Sequence, residues 1–325
     1  MPLPAILSEN LALPVIGAPL FIVSNPDLVL AQCTAGIVGA FPALNARPAE
    51  ELEAWLRRIT SGLEAFRAAH PGAKVAPFAV NQIVHHSNDR LRHDLEMCVK
   101  YRAPIVITSL RAPDEVVPVV HGYGGLVFHD VISVRHARKA IDAGVDGLIL
   151  VCAGAGGHAG TLSPFALVSE VRAMFDGAII LAGAITRGEH VLAAQAMGAD
   201  LAYVGTRFVA TDEARAPDAY KRMIVESTAA DIVYSDYFSG VLGNYLRGSI
   251  VASGLDPDHL PAGDRAAMKF GSGGSSKAKA WRDIWGAGQG VGSIDAVLPA
   301  AQVVAKLERE YQAARSRLLT PRAPA

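Results

Sequence analysis

The 325-residue sequence has few cysteines and almost no net charge. Its three cysteines, Cys33, Cys98 and Cys152, lack both paired and metal-type spacing, which predicts a protein of a reducing compartment. Lys and Arg number 30 against 31 Asp and Glu, so no charge excess indicates nucleic acid or an anionic membrane as a partner. No apolar run reaches about 18 residues, and the N-terminus lacks a basic signal-type segment. These absences predict a cytoplasmic protein that binds neither nucleic acid nor membrane.

Two common enzyme signatures are also missing from the sequence. The turn after the first apolar segment is Gly17-Ala18-Pro19-Leu20, not the Gly-x-Gly-x-x-Gly of a dinucleotide-binding sheet. No Gly-x-Ser-x-Gly nucleophile elbow occurs either. Hydrophobic residues make up 51% of the chain and the mean hydropathy is +0.27, which is enough for a large core.

Short apolar segments alternate with helical patterns as far as about residue 210. The predicted strands cover 14–18, 36–41, 75–80, 104–109, 125–129, 146–151, 178–182 and 201–204. The predicted helices cover 26–35, 48–69, 89–101, 113–121, 133–143, 164–175 and 188–197. Eight such units predict an α/β fold, a closed (β/α)₈ TIM barrel, with an open doubly wound sheet as the alternative.

The alternation stops after residue 210. Helical patterns near 214–230 and 236–252 are followed by a Gly/Ser loop at 271–277, which could be a lid or a linker, and by a final amphipathic helix over 295–317. We therefore expect residues 1–210 plus 291–325 to form the barrel, with the last helix returning to its wall. Residues 211–290 are expected to be a helical insertion that covers the active-site mouth.

A glycine-rich loop follows the sixth predicted strand, with the sequence Gly154-Ala155-Gly156-Gly157-His158-Ala159-Gly160. The lack of Cβ atoms lets the backbone of such a loop come close to a flat ligand. His158 is the one side chain in the loop that exchanges a proton near neutral pH. A simple turn with a histidine of no function is the alternative.

Further candidate residues follow other strands of the predicted barrel. Strands seven and eight end in the turns Gly183-Ala184 and Gly205-Thr206, where TIM barrels frequently bind phosphate, although tight turns without a ligand are the alternative. Small and apolar residues end the first three strands, so a planar cofactor with a phosphate tail, such as FMN, suits the site. Asn81 and Gln82 could hydrogen-bond the polar edge of its ring, or could instead cap the next helix.

Three other features carry weaker predictions. His85-His86 lacks nearby carboxylates at metal spacing, which favours a solvated loop. The neighbours His129 and Asp130 lie on one strand and should point to opposite faces. Trp281 and Trp285, with the glycines that follow, either close over a planar ligand or pack in the core.

Taken together, these residues resemble the nitronate monooxygenases, long called 2-nitropropane dioxygenases. The related FMN-dependent enoyl-ACP reductases and NADH:quinone reductases share the same barrel. The likeness extends over about residues 10–310, and Gly-Gly-His-x-Gly together with Gly-Thr-Arg-Phe makes it specific. The matching segments are Pro14 to Leu20, Val80-Asn81, Gly154 to Gly160, Ala182 to Ala184, Gly198 to Asp200, Val204 to Phe208 and Trp281 to Gln289.

The resemblance implies one non-covalently bound FMN, no metal, and His158 beside the flavin. The FMN phosphate would lie at the turns after strands seven and eight, and the ring against the first, third and sixth strand ends. The implied cofactor-binding residues are Ala18, Pro19, Leu20, Asn81, Gly156, Gly157, Gly183, Ala184, Gly205, Thr206, Gly288 and Gln289.

The resemblance also implies the reaction. Alkyl nitronates, or nitroalkanes, would be oxidised by O2 to a carbonyl compound and nitrite. His158 would act as the base toward the α-proton, or would orient the nitronate anion. The alternatives are an NAD(P)H-dependent flavin reductase acting on quinones or enoyl thioesters, and a non-catalytic binding barrel. The use of NAD(P)H and assembly as a homodimer stay open.

The sequence departs from the family pattern at three places. Pro19-Leu20 stands where many members have Gly-Met, and Ala182-Gly183-Ala184 replaces a more usual Gly-Gly. Asp130 stands where some relatives carry a lysine, which removes a cation that could polarise the flavin.

Overall fold

A closed barrel of eight parallel strands forms the body of the protein. The computed structural model describes residues 3–263 and 283–320. The barrel strands are β1 (Val15–Gly17), β2 (Gly39–Pro42), β3 (Phe78–Val84), β4 (Ile105–Leu110), β5 (Leu126–Val131), β6 (Gly147–Val151), β8 (Ala178–Ala182) and β9 (Leu201–Val204). Their order in the sheet is β1-β9-β8-β6-β5-β4-β3-β2, and a bridge between Ile16 of β1 and Val38, the residue before β2, closes the barrel. This arrangement confirms the predicted TIM barrel.

The helices between these strands begin and end largely where the local sequence signals predict. The Asn25 side chain accepts a hydrogen bond from the backbone N–H of Asp27, and Gly144 follows its helix with a φ of +84°. None of the helices in the described ranges is both long and apolar enough to cross a bilayer. The helices are α1 (Ala5–Ser8), α2 (Pro26–Thr34), α3 (Glu51–Ala69), α4 (Leu91–Lys100), α5 (Val117–His121), α6 (Val134–Asp142), α7 (Pro164–Arg172), α8 (Gly188–Ala196), α9 (Thr206–Val209), α10 (Asp218–Glu226), α11 (Arg247–Ala252) and α12 (Ala300–Leu319).

Apolar side chains fill the barrel interior. Leu7 of α1 packs against these interior side chains. A second apolar layer lies between the strands and the helices. All three cysteines are buried and unpaired, as the spacing predicts. Because the interior is packed, the site that the fold offers is the mouth at the carboxyl ends of the strands. The interior layers are built from Ile16, Val38, Ala40, Ala79, Ile105, Ile107, Phe128, Ile149, Ile180 and Leu201.

The C-terminal helix α12 returns to the barrel wall, as predicted, and packs against α8 and α2. A Cβ atom at Gly188 would overlap the backbone of Leu307 and Tyr311, so α8 and α12 approach closely only because this residue is glycine. The Gly188 N–H donates to the carboxylate of Glu310 at 2.9 Å. These contacts place α12 in the wall next to the first strand's helix.

The segment after the last barrel strand differs from the prediction. Helix α10 lies within the expected helix over 214–230, but the helix expected over 236–252 is wrong in its first part. Strands β10 (Ile232–Ser235) and β11 (Gly243–Leu246) form an antiparallel pair, and only α11 is helical there. Strand β11 also pairs with β7 (Gly157–His158), so long-range pairing outweighed the local helical pattern. The division into barrel and covering insertion stays a prediction, and the 271–277 loop lies outside the described residues.

Strand β3 also lies three to four residues later than the predicted 75–80. Pro77 immediately precedes it and has no N–H to donate to a neighbouring strand. Asn81 and Gln82 therefore lie inside the strand instead of following it, and their side chains point to opposite faces.

Candidate active site

The glycine-rich loop turns back across the barrel mouth and continues into β7. Gly154 and Gly157 have φ angles of +87° and +64°, in the left-handed region that favours glycine. His158 pairs with Gly243 of β11 and is half-buried. A Cβ atom on Gly157 would meet nothing within 4 Å, so the side of this residue to which a Cβ would project is open.

A serine outside the loop holds the His158 ring. The Nε2 atom of His158 lies 2.9 Å from Oγ of Ser239, and that hydroxyl donates to the carbonyl of Val241 at 3.0 Å. Because a hydroxyl has one hydrogen, donation by Ser239 to Val241 assigns the proton of the neutral ring to Nε2, and Nδ1 is then the acceptor nitrogen. Burial lowers the pKa of His158 to about 4, so the ring is neutral at pH 7.

This pKa shift should make the free energy of unfolding depend on pH. The folded pKa of about 4 lies below the usual 6.5, so the unfolded state takes up the proton first as the pH falls. The stabilisation is present above pH 6.5 and should decrease by about 2 kcal/mol between pH 7 and pH 5. In urea unfolding at both pH values, the loss between pH 7 and pH 5 should be about 2 kcal/mol larger in the wild type than in His158→Gln. Asp130 and His129 titrate in the same range, so the difference between the two proteins is the test.

The segment around Gly288 is hydrogen-bonded both to the His158 loop and to the turn after β9. The Gln289 N–H donates to the carbonyl of Gly154, and the Gly288 N–H donates to Oγ1 of Thr206, both at 2.9 Å. A Cβ atom on Gly156 would lie 2.7 Å from the Gly288 nitrogen. Because Thr206 Oγ1 accepts this bond, its own hydrogen stays available for an anion.

The turns after β8 and β9 lie beside the same loops. Gly183 and Ala184 both have positive φ angles, of 143° and 53°, and a Cβ on Gly183 would lie 2.9 Å from the Ala153 carbonyl. A left-handed alanine is sterically unfavourable and costs about 1 kcal/mol, so the surrounding structure holds this turn in place. A Cβ on Gly205 would lie 3.6 Å from both Ala18 and Leu20, and Pro19 is half-buried between these two.

Polar side chains from neighbouring strands form the floor of the mouth. Asn81 Nδ2 donates to the Ile107 carbonyl at 3.2 Å and to Ser109 Oγ at 2.9 Å, and Ser109 donates to Asp130 Oδ2 at 2.6 Å. Both Asn81 N–H groups are thereby used, so its Oδ1 is the atom left to interact with a ligand, as an acceptor.

Asp130 and Tyr203 place two unsatisfied polar atoms in this floor. Burial raises the pKa of Asp130 to about 6, partly offset by the bond from Ser109. Burial, and then the charge of Asp130, raise the pKa of Tyr203. Asp130 Oδ1 and the Tyr203 hydroxyl are buried and have no hydrogen-bond partner within the described part of the chain. Unsatisfied buried groups are costly, so their position beneath a mouth marks a functional region.

Sequence comparison identifies the family. The nitronate monooxygenase family model matches residues 7–310, which is nearly the whole chain. The chain belongs to the nitronate monooxygenase family. It is therefore an oxidoreductase, and members of this family are flavoenzymes.

Several relatives and solved structures are similar to this family member. A nitronate monooxygenase of Paraburkholderia phytofirmans is 27% identical, and the alignment covers 92% of this chain and 92% of that protein. One from Neurospora crassa is 29% identical over 60% of this chain and 56% of its own. FabK from Thermotoga maritima has a TM-score of 0.76 at 23% identity, covering 96% of both chains. Nitroalkane oxidase from Streptomyces ansochromogenes has a TM-score of 0.74 at 24% identity, covering 96% of this chain and 99% of its own. The two structures show the shared fold.

Two of the predicted candidates, Gln82 and His129, point away from the mouth. The prediction that Gln82 contacts a ligand is wrong, because its Nε2 points outward to Cys98 Sγ at 3.5 Å. His129 also points outward, to Thr108 at 2.8 Å, which leaves Asp130 as the inward member of that pair. Trp285 stacks on Tyr220 with ring centroids 5.0 Å apart, whereas Trp281 lies outside the described residues.

Sequence reasoning missed three residues that shape the site. Ser239 lies 81 residues from His158. Asn244, whose Nδ2 donates to the Ala155 carbonyl at 2.6 Å, lies 89 residues from Ala155. No local signal connects such distant residues. Both also lie within the helix expected over 236–252, so they were not predicted to pair with the His158 loop. Tyr203 could have been found from the two-residue alternation of strand β9.

Proposed function

We propose that this chain is an FMN-dependent enzyme that oxidises alkyl nitronates and nitroalkanes, with O2, to a carbonyl compound and nitrite. Family membership supports the reaction class. The observation that carries the proposal is the meeting of four elements at one mouth. These are the His158 loop, the Gly183-Ala184 turn, the Gly205-Thr206 turn and the segment around Gly288.

The mouth has donors and acceptors that fit FMN. The Thr206 hydroxyl hydrogen can be donated to a phosphate oxygen beside Gly183, Ala184 and Gly205. The Asn81 oxygen, fixed as an acceptor, matches the N–H on the polar edge of an isoalloxazine. Pro19, Gly156, Gly157 and Gln289 would complete the contacts with the ring and its tail, together with Ala18, Leu20 and Gly288.

His158 is proposed as the base for neutral nitroalkanes. Bound FMN would supply the redox chemistry by accepting electrons from the substrate and passing them to O2. The half-buried, neutral imidazole has the protonation state that a base requires, and Ser239 fixes its orientation. The proton taken from the α-carbon leaves an imidazolium beside a nitronate anion, and these opposite charges stabilise each other.

The visible spectrum of the purified protein tests the proposal. We expect a yellow protein, or a colourless one that takes up added FMN, whose visible flavin absorbance bleaches on anaerobic addition of propyl-1-nitronate. Readmitted O2 should restore the colour and release nitrite. Bleaching by NADH or NADPH, with none by the nitronate, would instead favour the flavin reductase of quinones or enoyl thioesters. A protein that binds no FMN would leave only the non-catalytic barrel.

A further inference from the structure

Four apolar side chains are exposed along one side of the mouth. Leu110 ends β4, Ile132 follows β5, Leu162 follows the His158 loop, and Leu242 precedes β11. Their exposed fractions are 38%, 42%, 39% and 38%. We call these four residues the apolar rim. Single exposed apolar residues are ordinary, but a group of them around a concave mouth is typical of a ligand-binding surface.

The rim is continuous with the loop that carries His158. A Cβ atom on Gly160 would lie 3.0 Å from Cβ of Ile132, which shows how closely that side chain covers the loop. The Ala159 N–H donates to the Leu242 carbonyl at 3.2 Å. Leu162 is tied to the same loop, because its carbonyl accepts from the Ala153 N–H at 2.9 Å.

Leu110 extends the rim along the neighbouring strand. Strands β4 and β5 pair in parallel, with Thr108 opposite His129, so their carboxyl ends lie side by side. Leu110 has a φ of +83°, an unfavourable conformation for a branched side chain. Backbone strain of this kind concentrates at ligand sites, where the surroundings maintain it.

We propose that the apolar rim binds the hydrocarbon tail of the substrate, so that the enzyme prefers long-chain nitronates to short ones. The inference rests on the proposed function, because it takes the reacting carbon to lie beside His158. Gly160, next to Ile132, is two residues from His158, at most about 7 Å along the backbone, so the rim begins close to the reaction centre. The rim side chains carry no charge and no hydrogen-bonding group. They therefore suit a hydrocarbon and offer no favourable contact to an anionic head group.

A series of nitronates from nitroethane to 1-nitrohexane tests the rim. We expect kcat/KM to rise about two- to fourfold for each added methylene, as apolar surface leaves water. Ile132→Ser and Leu242→Ser should each lower the hexyl-to-ethyl ratio of kcat/KM at least fivefold. The matched controls are Val99→Ser and Val119→Ser, which change valines of similar exposure, 40% and 39%, on the outer helices α4 and α5. Neither control should change the ratio.

Binding of unreactive analogues separates the rim from the chemistry. Alkanoates from acetate to hexanoate have a planar anionic head like that of a nitronate, and calorimetry with the FMN-loaded protein measures their affinity. The affinity should rise with chain length in the wild type and rise less in both rim variants. If no nitronate is turned over but this pattern holds, the proposed function and the preference among nitronates fail, whereas binding of a hydrocarbon tail at the rim stands. A flat series overturns the rim proposal. Rim variants that alter only the oligomeric state in sedimentation also overturn it, since the rim would then be a subunit contact.

Discussion

Replacing His158 with Asn should lower kcat/KM for a neutral nitroalkane about 100- to 10,000-fold, the usual contribution of a general base. Turnover of the corresponding nitronate should fall about tenfold or less, because its α-proton has already been removed. The reason lies in the geometry: burial keeps the imidazole neutral, and Ser239 fixes which nitrogen accepts a proton. Nitrite release from 1-nitropropane and from propyl-1-nitronate measures both effects.

His129→Gln is the matched control for this variant. His129 is also buried with its pKa lowered to about 4, but it lies on the outer face of β5 against Thr108. The His129→Gln variant should leave the ratio of kcat/KM for the nitroalkane to that for the nitronate unchanged. Both variants should keep the flavin absorbance of the wild type. An equal loss on the two substrates in His158→Asn would contradict a role in proton removal.

Gly156→Ala should weaken FMN binding about 10- to 100-fold. The new Cβ would lie 2.7 Å from the Gly288 nitrogen and 2.9 Å from the Ala287 carbonyl carbon, both backbone atoms that cannot rotate away. The segment around Gly288 must shift, which breaks its hydrogen bond to Thr206. Overpacking costs about 1–3 kcal/mol, and a lost hydrogen bond costs a similar amount. Fluorescence titration of the apoprotein with FMN measures the affinity.

Gly292→Ala is the matched control, because Gly292 lies in the same part of the chain as Gly288. Gly292 is exposed, and its added Cβ would meet no atom closer than 3.6 Å, which is ordinary van der Waals contact. This variant should bind FMN as the wild type does. Wild-type affinity in Gly156→Ala as well would show that the contact between the loops does not matter for the cofactor.

The barrel could be predicted because its strands are local signals. Several barrel strands are buried and read as continuous apolar runs, as in Gly147–Val151 and Ala178–Ala182, and the intervening helices α2 and α6 begin at side-chain N-caps. The predicted strand bounds were inaccurate where the apolar run is interrupted, as in β3. Val75 and Ala76 belong to the core without being in β3, so burial alone did not define the strand.

The candidate site was predicted in part for the same reason. His158 and the glycine turns follow strands directly, so their place at the mouth depends only on the barrel. Which of two neighbours faces inward depends on the exact register, and a shift in β3 therefore separated Asn81 from Gln82. Their roles with FMN and substrate stay predictions for the experiments above.

The sequence by itself determined the barrel, the position of the His158 loop and the resemblance that the family model confirmed. Periodicity, caps and glycine turns act over a few residues, and these features need nothing more. Only the tertiary structure decided what surrounds the imidazole: the Ser239 partner, the β7–β11 pairing, the contact between Gly288 and Thr206, and the apolar rim. These depend on segments some 80 residues apart, whose pairing is set by which surfaces can be buried together once the barrel has formed.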